Sequence, residues 1–216
     1  MSGRIVSPEG IERESFRIIE EELGDRDFPP LVKPVVLRVI HATADLSFAD
    51  SLVFSEGALE RGLAALRAGA TVVTDTTMAL SGLSKPALEA LGCRAVCFIG
   101  DEDVAVEARS SGGTRSRASM DKAATLQGPL LFAIGNAPTA LLRVCELVEE
   151  GRLSPELVVG VPVGFVNVVE SKEELLARGD VPSIVARGRK GGSTVAVAIV
   201  NALLYELTRD AGGGAR

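Results

Sequence analysis

The chain has 216 residues, 46% of them hydrophobic and 24% charged, and a formal net charge of −6 at pH 7. This length supports a hydrophobic core that needs no disulfide or metal, and the composition excludes a largely disordered chain. The negative charge argues against nonspecific nucleic-acid binding, and no apolar stretch approaches the roughly 18 residues of a membrane span.

The first predicted element is an amino-terminal helix. Ser7 as N-cap and Pro8 at the first helical position predict a helix that runs to about Leu23, where the sequence GDRDFPP ends it. The preceding sequence has no apolar signal-peptide core, so we expect a cytoplasmic protein that is not attached to a membrane. The expected single domain covers residues 1–208, followed by a disordered tail at 209–216.

Three polar side chains fall on or beside the apolar faces of the first two helices. In the first helix, Ser15 has the spacing of the inward-facing isoleucines, which are Ile11, Ile18 and Ile19. A second helix is predicted for residues 31–42, and a spacing of three places Arg38 and His41 on neighbouring points of one face. His41 is the only histidine of the chain. Arg38 and His41 are therefore expected to act together.

From residue 55 onward, short apolar strands alternate with helical segments. The strands are TVVTDTT, RAVCFIG, PLLFAIGN, ELVVGVPVG and PSIVARG, and a long apolar helix, STVAVAIVNALLYEL, follows the last of them. Nearly continuous apolar strands separated by helices predict a mostly parallel sheet covered on both faces. The predicted fold class is α/β, with three α/β/α layers and a five-stranded sheet.

The three cysteines do not indicate a disulfide or a metal site. The cysteines are Cys93, Cys97 and Cys145, an odd number that cannot all pair as disulfides within one chain. They lie in apolar sequence, which is typical of small buried residues in a reducing compartment. With a single histidine there is also no cluster of metal-binding residue types. We therefore expect neither a metal nor a cofactor.

The unusual polar loops all follow predicted strands. DTTMALSG follows the first strand, GDEDV the second, GNAPT the third, VPVGFVN the fourth and RGRKGGST the fifth. Open parallel sheets bind ligands outside the carboxyl ends of their strands. These loops are therefore expected to form one ligand-binding rim.

The loop RGRKGGST combines glycines, a helix start and cationic side chains, among them Arg187 and Lys190. Free N–H groups at a helix N-terminus favour anions, so we interpret the loop as an anion site. It lacks the order GxxxxGK[ST] of a Walker A loop, and no GxGxxG follows a strand. A glycine-rich helix start with solvated charges is the structural alternative.

Two more loops offer groups for an anionic ligand. GGTRSRASM carries Arg115 and Arg117. Arginine suits bidentate recognition of carboxylates, although a surface loop explains these residues equally well. Asn136 of GNAPT, like Asp75, Thr76 and Thr77 of DTTM, has two interpretations: a ligand contact, or a local role at a strand end. Together these loops indicate a ligand with several negative groups.

His41 has a structural and a chemical interpretation. A lone histidine is more often a hydrogen-bonded core residue than a catalyst. The nearby Arg38 favours the chemical interpretation, because a buried guanidinium needs an anion and imidazole is the side chain suited to proton transfer near neutral pH. Nucleophilic triads and metal hydrolases are disfavoured, because no second histidine is present.

Six long segments of the chain carry a family resemblance: SPEGIERESFRIIEEEL, VLRVIHATAD, TDTTMALSG, GNAPTALLRVCELVEEG, VVGVPVGFVNVVESKEEL and RGRKGGSTVAVAIVNALLYEL. In this order and spacing they resemble the precorrin-8X methylmutase family of cobalamin biosynthesis, up to about Leu207. The resemblance implies a homodimeric α/β/α isomerase that moves the ring C methyl group of a tetrapyrrole from C-11 to C-12 without a methyl donor. The product would be hydrogenobyrinate, or cobyrinate when cobalt is already inserted.

The resemblance also implies roles for single residues. His41 matches the proposed proton donor and acceptor of the family, and Ser15 and Arg38 match substrate-binding positions. A tetrapyrrole acid carries many carboxylates, which accounts for the cationic loop residues Arg115, Arg117, Arg187 and Lys190. The apolar macrocycle is expected to lie on the loop side chains Met78, Leu80, Val163, Phe165 and Val166.

Two other functions are compatible with the same residues. A carrier of corrinoid acids would use the binding groups without the chemistry, and would keep its role in a His41→Ala variant. A phosphate- or nucleotide-binding enzyme is suggested by GRKGGST, and would respond to ATP or NAD but not to a corrinoid acid. For the isomerase itself, both a metal-free and a cobalt-containing substrate are compatible with the sequence.

Overall fold

The computed structural model describes residues 7–211, which form eleven helices and six strands. The helices are α1 (Pro8–Leu23), α2 (Val32–Thr43), α3 (Phe48–Ser51), α4 (Ala58–Arg67), α5 (Thr77–Gly82), α6 (Lys85–Ala90), α7 (Glu102–Ser110), α8 (Arg115–Ala123), α9 (Pro138–Glu149), α10 (Val168–Ala177) and α11 (Ser193–Ala211). The strands are β1 (Leu52–Phe54), β2 (Thr71–Thr74), β3 (Arg94–Val96), β4 (Leu130–Ile134), β5 (Leu157–Gly160) and β6 (Ser183–Ala186).

The strands form one sheet in the order β1-β6-β5-β4-β2-β3. Neighbours are parallel except β1, which pairs antiparallel with β6. The mostly parallel α/β sheet is therefore confirmed, but the predicted number of five strands is wrong. The missed strand, β1, has only three residues and directly follows the four-residue α3, so it is too short to show an alternating pattern in the sequence.

Helices cover both faces of the sheet, because strand residues alternate between two apolar clusters. Leu131 and Val159 pack with residues of α2, α4 and α11 on one face. Phe132 and Val158 pack with residues of α8, α9 and α10 on the other. None of these four side chains is more than 1% exposed. The three predicted layers follow from this two-sided burial.

Helix α1 has the predicted bounds but a different buried face. The Ser7 hydroxyl caps the helix and Pro8 begins it. Ile19 is buried, whereas Ile11 and Ile18 are 51% and 42% exposed, so their predicted inward orientation is wrong. The helix rests mainly on α2, which covers only one side of its apolar face.

Three short helices, α3, α5 and α7, occupy segments without a predicted helix, and the predicted loop DTTMALSG contains α5. Helix α2 lies within one residue of its predicted bounds. Helix α11 continues to Ala211, past the predicted domain end at residue 208, and residues 212–216 of the expected tail lie outside the described residues. Within residues 7–211, no helix combines the length and the apolar character needed to cross a membrane.

Candidate active site

An open cavity of about 500 Å³ lies between α1 and the last turn of α2. Its apolar wall includes Ile11, Ile18 and Leu46, and His41 lies in the same wall. The chain turns away just after His41, at Ala44, which has a left-handed conformation with φ 53°. His41 is therefore exposed in a groove whose size and apolar lining suit an organic ligand.

Ser15 and Phe16 hold the His41 imidazole from α1. The Oγ of Ser15 lies 2.7 Å from Nδ1 of His41. The Phe16 ring meets the imidazole edge to face, with the ring centroids 5.3 Å apart. Because Nδ1 is bonded to Ser15, Nε2 is the ring nitrogen available for proton exchange with a ligand.

Arg38 also contacts the Phe16 ring but does not lie in the wall of the His41 cavity. It lines a separate cavity of about 180 Å³ with Tyr205. Its guanidinium stands over the rings of Phe16 and Tyr205, at 5.3 and 4.6 Å from their centroids, and donates to Glu12 at 2.8 Å. The anion that the sequence led us to expect in the ligand is thus supplied by Glu12.

The rim of the His41 cavity is acidic. Glu14 and Glu22 line the cavity, and among residues 7–211 no lysine or arginine does so. Arg17 pairs with both carboxylate oxygens of Glu14, so the rim repels anionic groups of a ligand only weakly, whereas an apolar surface fits the isoleucine wall. The cavity alone is therefore suited to the apolar part of a ligand.

Lys190 connects this cavity to the carboxyl edge of the sheet. Its Nζ lies 2.6 Å from Oδ2 of Asp45 and 3.0 Å from Oγ of Ser47. Asp45 stands between two residues of the cavity wall, Ala44 and Leu46. The hydrogen bonds from Lys190 and Ser47 lower the pKa of Asp45 to about 2. The predicted cationic loop therefore lies directly beside the His41 cavity.

The cationic loop, residues 187–192, projects its charged side chains outward. Arg187, Arg189 and Lys190 are exposed. Arg187 Nε lies 3.4 Å from a carboxylate oxygen of Glu173, and the Arg189 guanidinium stands 5.3 Å from the centroid of the Phe165 ring. The loop thus offers a cationic surface that adjoins apolar residues.

Buried polar residues order the neighbouring loops after β2 and β4. Asp75 is 1% exposed, and its two carboxylate oxygens accept from the N–H groups of Gly135, Asn136 and Ala137 at 2.7 to 3.0 Å. Burial raises the pKa of Asp75 despite these bonds. Asn136 itself is exposed. Asp75 therefore belongs to the support of the site and Asn136 to its surface.

Thr76 also has the structural role that the sequence left open. Its Oγ1 accepts from the N–H of Ala79 as the N-cap of α5, and lies 2.8 Å from Oγ of Ser193 at the start of α11. Thr77 is exposed on the first turn of α5. Of the two predicted threonines, Thr77 is the more available to a ligand.

The two predicted arginines of α8 have different surroundings. Arg115 is exposed at the first position of the helix. Arg117 forms a bidentate ion pair with Glu146, which lies on α9 and also bonds Arg143. Arg117 is thus part of an ion-pair network between α8 and α9, and its role in ligand binding stays a prediction.

Several side chains of the predicted macrocycle surface are exposed apolar groups on the same edge: Met78 (68%), Val163 (44%), Phe165 (81%) and Val166 (77%). Cys93 and Cys145 are buried, as predicted, and Cys97 is half-buried. Among the described residues, no three His, Cys, Asp or Glu side chains come together as a potential metal site.

The sequence analysis missed Phe16 and Lys172, and for Asp75 the structure favours the local role at the strand end over a ligand contact. Lys172 is 0% exposed and donates to the carbonyl groups of the cationic loop. A local signal for it exists, because Lys172 lies four residues after Val168 and three before Leu175, on the apolar face of α10. Phe16 had a comparable signal, because it lies three residues before Ile19 and seven before Leu23, which are both buried.

Comparisons with known proteins point to one family. The family model described as precorrin-8X methylmutase matches residues 10–206. The cobalt-precorrin-8 methylmutase of Priestia megaterium is 46% identical over 198 residues, covering 92% of this chain and 88% of the relative. The precorrin-8X methylmutase of Pseudomonas aeruginosa is 41% identical over 201 residues, covering 92% and 95%.

A solved structure agrees with these sequence relatives. The crystal structure of precorrin-8x methyl mutase from Thermus thermophilus matches with a TM-score of 0.83 and 43% identity. The match covers 94% of this chain and 98% of that chain. Fold and sequence therefore lead to the same relatives over nearly the whole length.

Proposed function

This chain belongs to the precorrin-8X methylmutase family of cobalamin biosynthesis, and we propose that it moves the ring C methyl group of precorrin-8X, or of its cobalt form, from C-11 to C-12. The substrate is its own methyl source, so no donor is consumed. The product is hydrogenobyrinate from the metal-free substrate and cobyrinate from the cobalt-containing one. His41 is the proton donor and acceptor of this reaction.

The observation that carries the proposal is the Ser15–His41 pair in the wall of an apolar cavity. Ser15 accepts a hydrogen bond from Nδ1–H, and Nε2 gives its proton to the macrocycle near ring C. The methyl group and its bonding electron pair then move from C-11 to C-12. The ring returns the proton to Nε2, so the product is an isomer of the substrate and His41 is restored. Proton transfer from a positioned side chain accelerates such a step by about 10² to 10⁴.

The distribution of charge supports a two-sided binding mode. Ile11 and Ile18 give the His41 cavity an apolar wall, and its rim is acidic. The cations lie on the other side of the Asp45–Lys190 contact, in the loop 187–192. In our proposal the macrocycle lies against the isoleucines, and its carboxylates turn toward the cationic loop. This arrangement binds a polyanion on a protein of negative net charge, because the attraction is local.

Arg38 requires an exchange of partners in this proposal. Its guanidinium bonds Glu12, whose side chain is 40% exposed. A substrate carboxylate that enters beside Phe16 replaces Glu12, which moves into solvent. The bound anion then lies close to His41, because Phe16 contacts both residues.

The direct test is the conversion of each substrate by the wild-type protein. Precorrin-8X and cobalt-precorrin-8 are incubated separately, and the visible spectrum is followed while a ¹³C label on the C-11 methyl group is tracked by NMR. The proposal predicts corrin bands and a label that appears on C-12. A protein that binds both compounds but leaves spectrum and label unchanged is a carrier, which contradicts the proposal.

A homodimer stays a prediction of the family resemblance, and a cytoplasmic location stays a prediction of the amino-terminal sequence. Light scattering measures the molar mass of the purified protein in solution, and a dimer would have twice the mass of the 22.5 kDa chain. A monomeric mass at the concentrations used for turnover would contradict it.

A further inference from the structure

A lysine side chain is enclosed between α10 and the cationic loop. Lys172 is 0% exposed, and its Nζ donates to the carbonyl oxygens of Gly188 and Lys190, each at 2.8 Å. Between them, the carbonyl oxygen of Arg189 accepts from the N–H of Gly164 at 3.2 Å. Three successive carbonyl groups of the loop are thus held from the β5–α10 side.

These bonds determine which way the loop faces. In a trans peptide the carbonyl group of one residue points opposite to the N–H of the next. With the carbonyls of residues 188–190 directed at Lys172 and Gly164, the N–H groups of Arg189, Lys190 and Gly191 point away from them. The side chains of Arg189 and Lys190 are exposed on the outer surface of the loop. The loop therefore presents backbone donors on the side opposite Lys172, and the Lys190 side chain reaches Asp45 at the rim of the His41 cavity.

Packing does not explain a lysine at this position. Burial alone lowers the pKa of Lys172 to about 8, so no described carboxylate stabilises its charge. A buried ammonium without a counter-charge is unfavourable, and an apolar side chain of similar shape would fill the same space without that penalty. What the lysine adds is two directed hydrogen bonds to the loop.

We propose that Lys172 is a positioning residue that orients the loop 187–192, so that Arg189 and Lys190 meet the carboxylates of the substrate. This inference rests on the proposed function for the identity of the ligand. It adds a residue that touches neither substrate nor His41 and acts through backbone carbonyl groups. Its effect is therefore on substrate binding rather than on the proton transfer.

The test compares Lys172→Met, which removes both donors and keeps the shape, with Lys172→Gln, which keeps two amide donors without the charge. Lys85→Met, at an exposed position of α6, is the matched control. Backbone order parameters of residues 188–191 are measured by ¹⁵N relaxation without ligand, and kcat and KM are measured with the substrate that the wild type converts.

In Lys172→Met, we expect the order parameters to fall from about 0.85 to below about 0.6, and KM to rise about tenfold, as for the loss of one good contact. We expect kcat to change less than twofold, Lys172→Gln to be intermediate, and Lys85→Met to match wild type.

An ordered loop with a wild-type KM in Lys172→Met would overturn the proposal. So would a loss of α10 in both variants, because Lys172 would then act on the whole fold. The order parameters need no substrate, so a failure of the proposed function leaves this part of the test intact.

Discussion

The Oγ of Ser15 lies 2.7 Å from Nδ1 of His41, and this bond joins two helices across 26 residues of sequence. It leaves Nε2 as the free nitrogen of the only histidine in the chain. A ring that must give and later recover one proton needs a fixed orientation in both states, and the serine hydroxyl can serve as acceptor throughout.

Replacement of Ser15 by alanine separates positioning from substrate binding. If Ser15 mainly orients the imidazole, kcat of Ser15→Ala falls about tenfold, or about 1.4 kcal/mol, and KM changes less than twofold. If Ser15 binds substrate, as the family resemblance implies, KM rises instead. Steady-state kinetics with Ser110→Ala of α7 as control distinguishes the two results.

Glu12 and the substrate compete for Arg38 in our account. Glu12→Gln should lower KM severalfold, because it releases the guanidinium, while Arg38→Met should raise KM about tenfold. The Arg38–Glu12 pair is partly exposed, so its loss should change the free energy of unfolding by no more than about 1 kcal/mol. An unchanged KM in both variants would mean that Arg38 only packs between Phe16 and Tyr205.

Asp75→Asn tests the support of the Asn136 loop. In the wild type, three backbone N–H groups donate to the two carboxylate oxygens of Asp75. The asparagine amide has only one acceptor oxygen, and its NH₂ group would face N–H donors that it cannot bond. We expect the free energy of unfolding to fall by about 2 to 3 kcal/mol. Asp180→Asn, at an exposed position, should stay within about 0.5 kcal/mol of wild type in the same urea titration.

Alkaline pH should stabilise the folded protein through Lys172. Burial lowers its pKa in the folded state from 10.5 to about 8. Between these values the unfolded chain binds the proton and the folded protein does not, so the free energy of unfolding rises with pH. The stability of wild type relative to Lys172→Met should therefore increase from pH 8 to pH 10.5. A difference that stays constant over this range would contradict the buried, uncompensated charge.

Local chemistry explains what the sequence predicted well. Ser7 and Pro8 mark the start of α1 by capping and by a fixed φ, which depend on neighbouring residues alone, and the observed bounds agree. The short β1 has no such mark, because its partner β6 is more than 125 residues away in the sequence and only the folded sheet brings Leu52 opposite Ala186.

Partners of charged residues could not be predicted, because they belong to other elements. The spacing of Arg38 and His41 on α2 suggested a common site, yet the two residues line different cavities and Glu12 of α1 neutralises the arginine. Arg117 likewise meets Glu146 of α9. Helical spacing gives the face of a residue on its own helix, whereas its partner depends on how two helices pack.

Proton transfer by His41 is tested by comparing the wild type with His41→Ala at saturating substrate. Conversion is followed by the visible spectrum, and substrate affinity by fluorescence titration or gel filtration of the coloured complex. We expect turnover in His41→Ala to fall by a factor of about 10² to 10⁴, with substrate binding within a few-fold of wild type. A variant that binds substrate and still converts it at the wild-type rate would contradict the account.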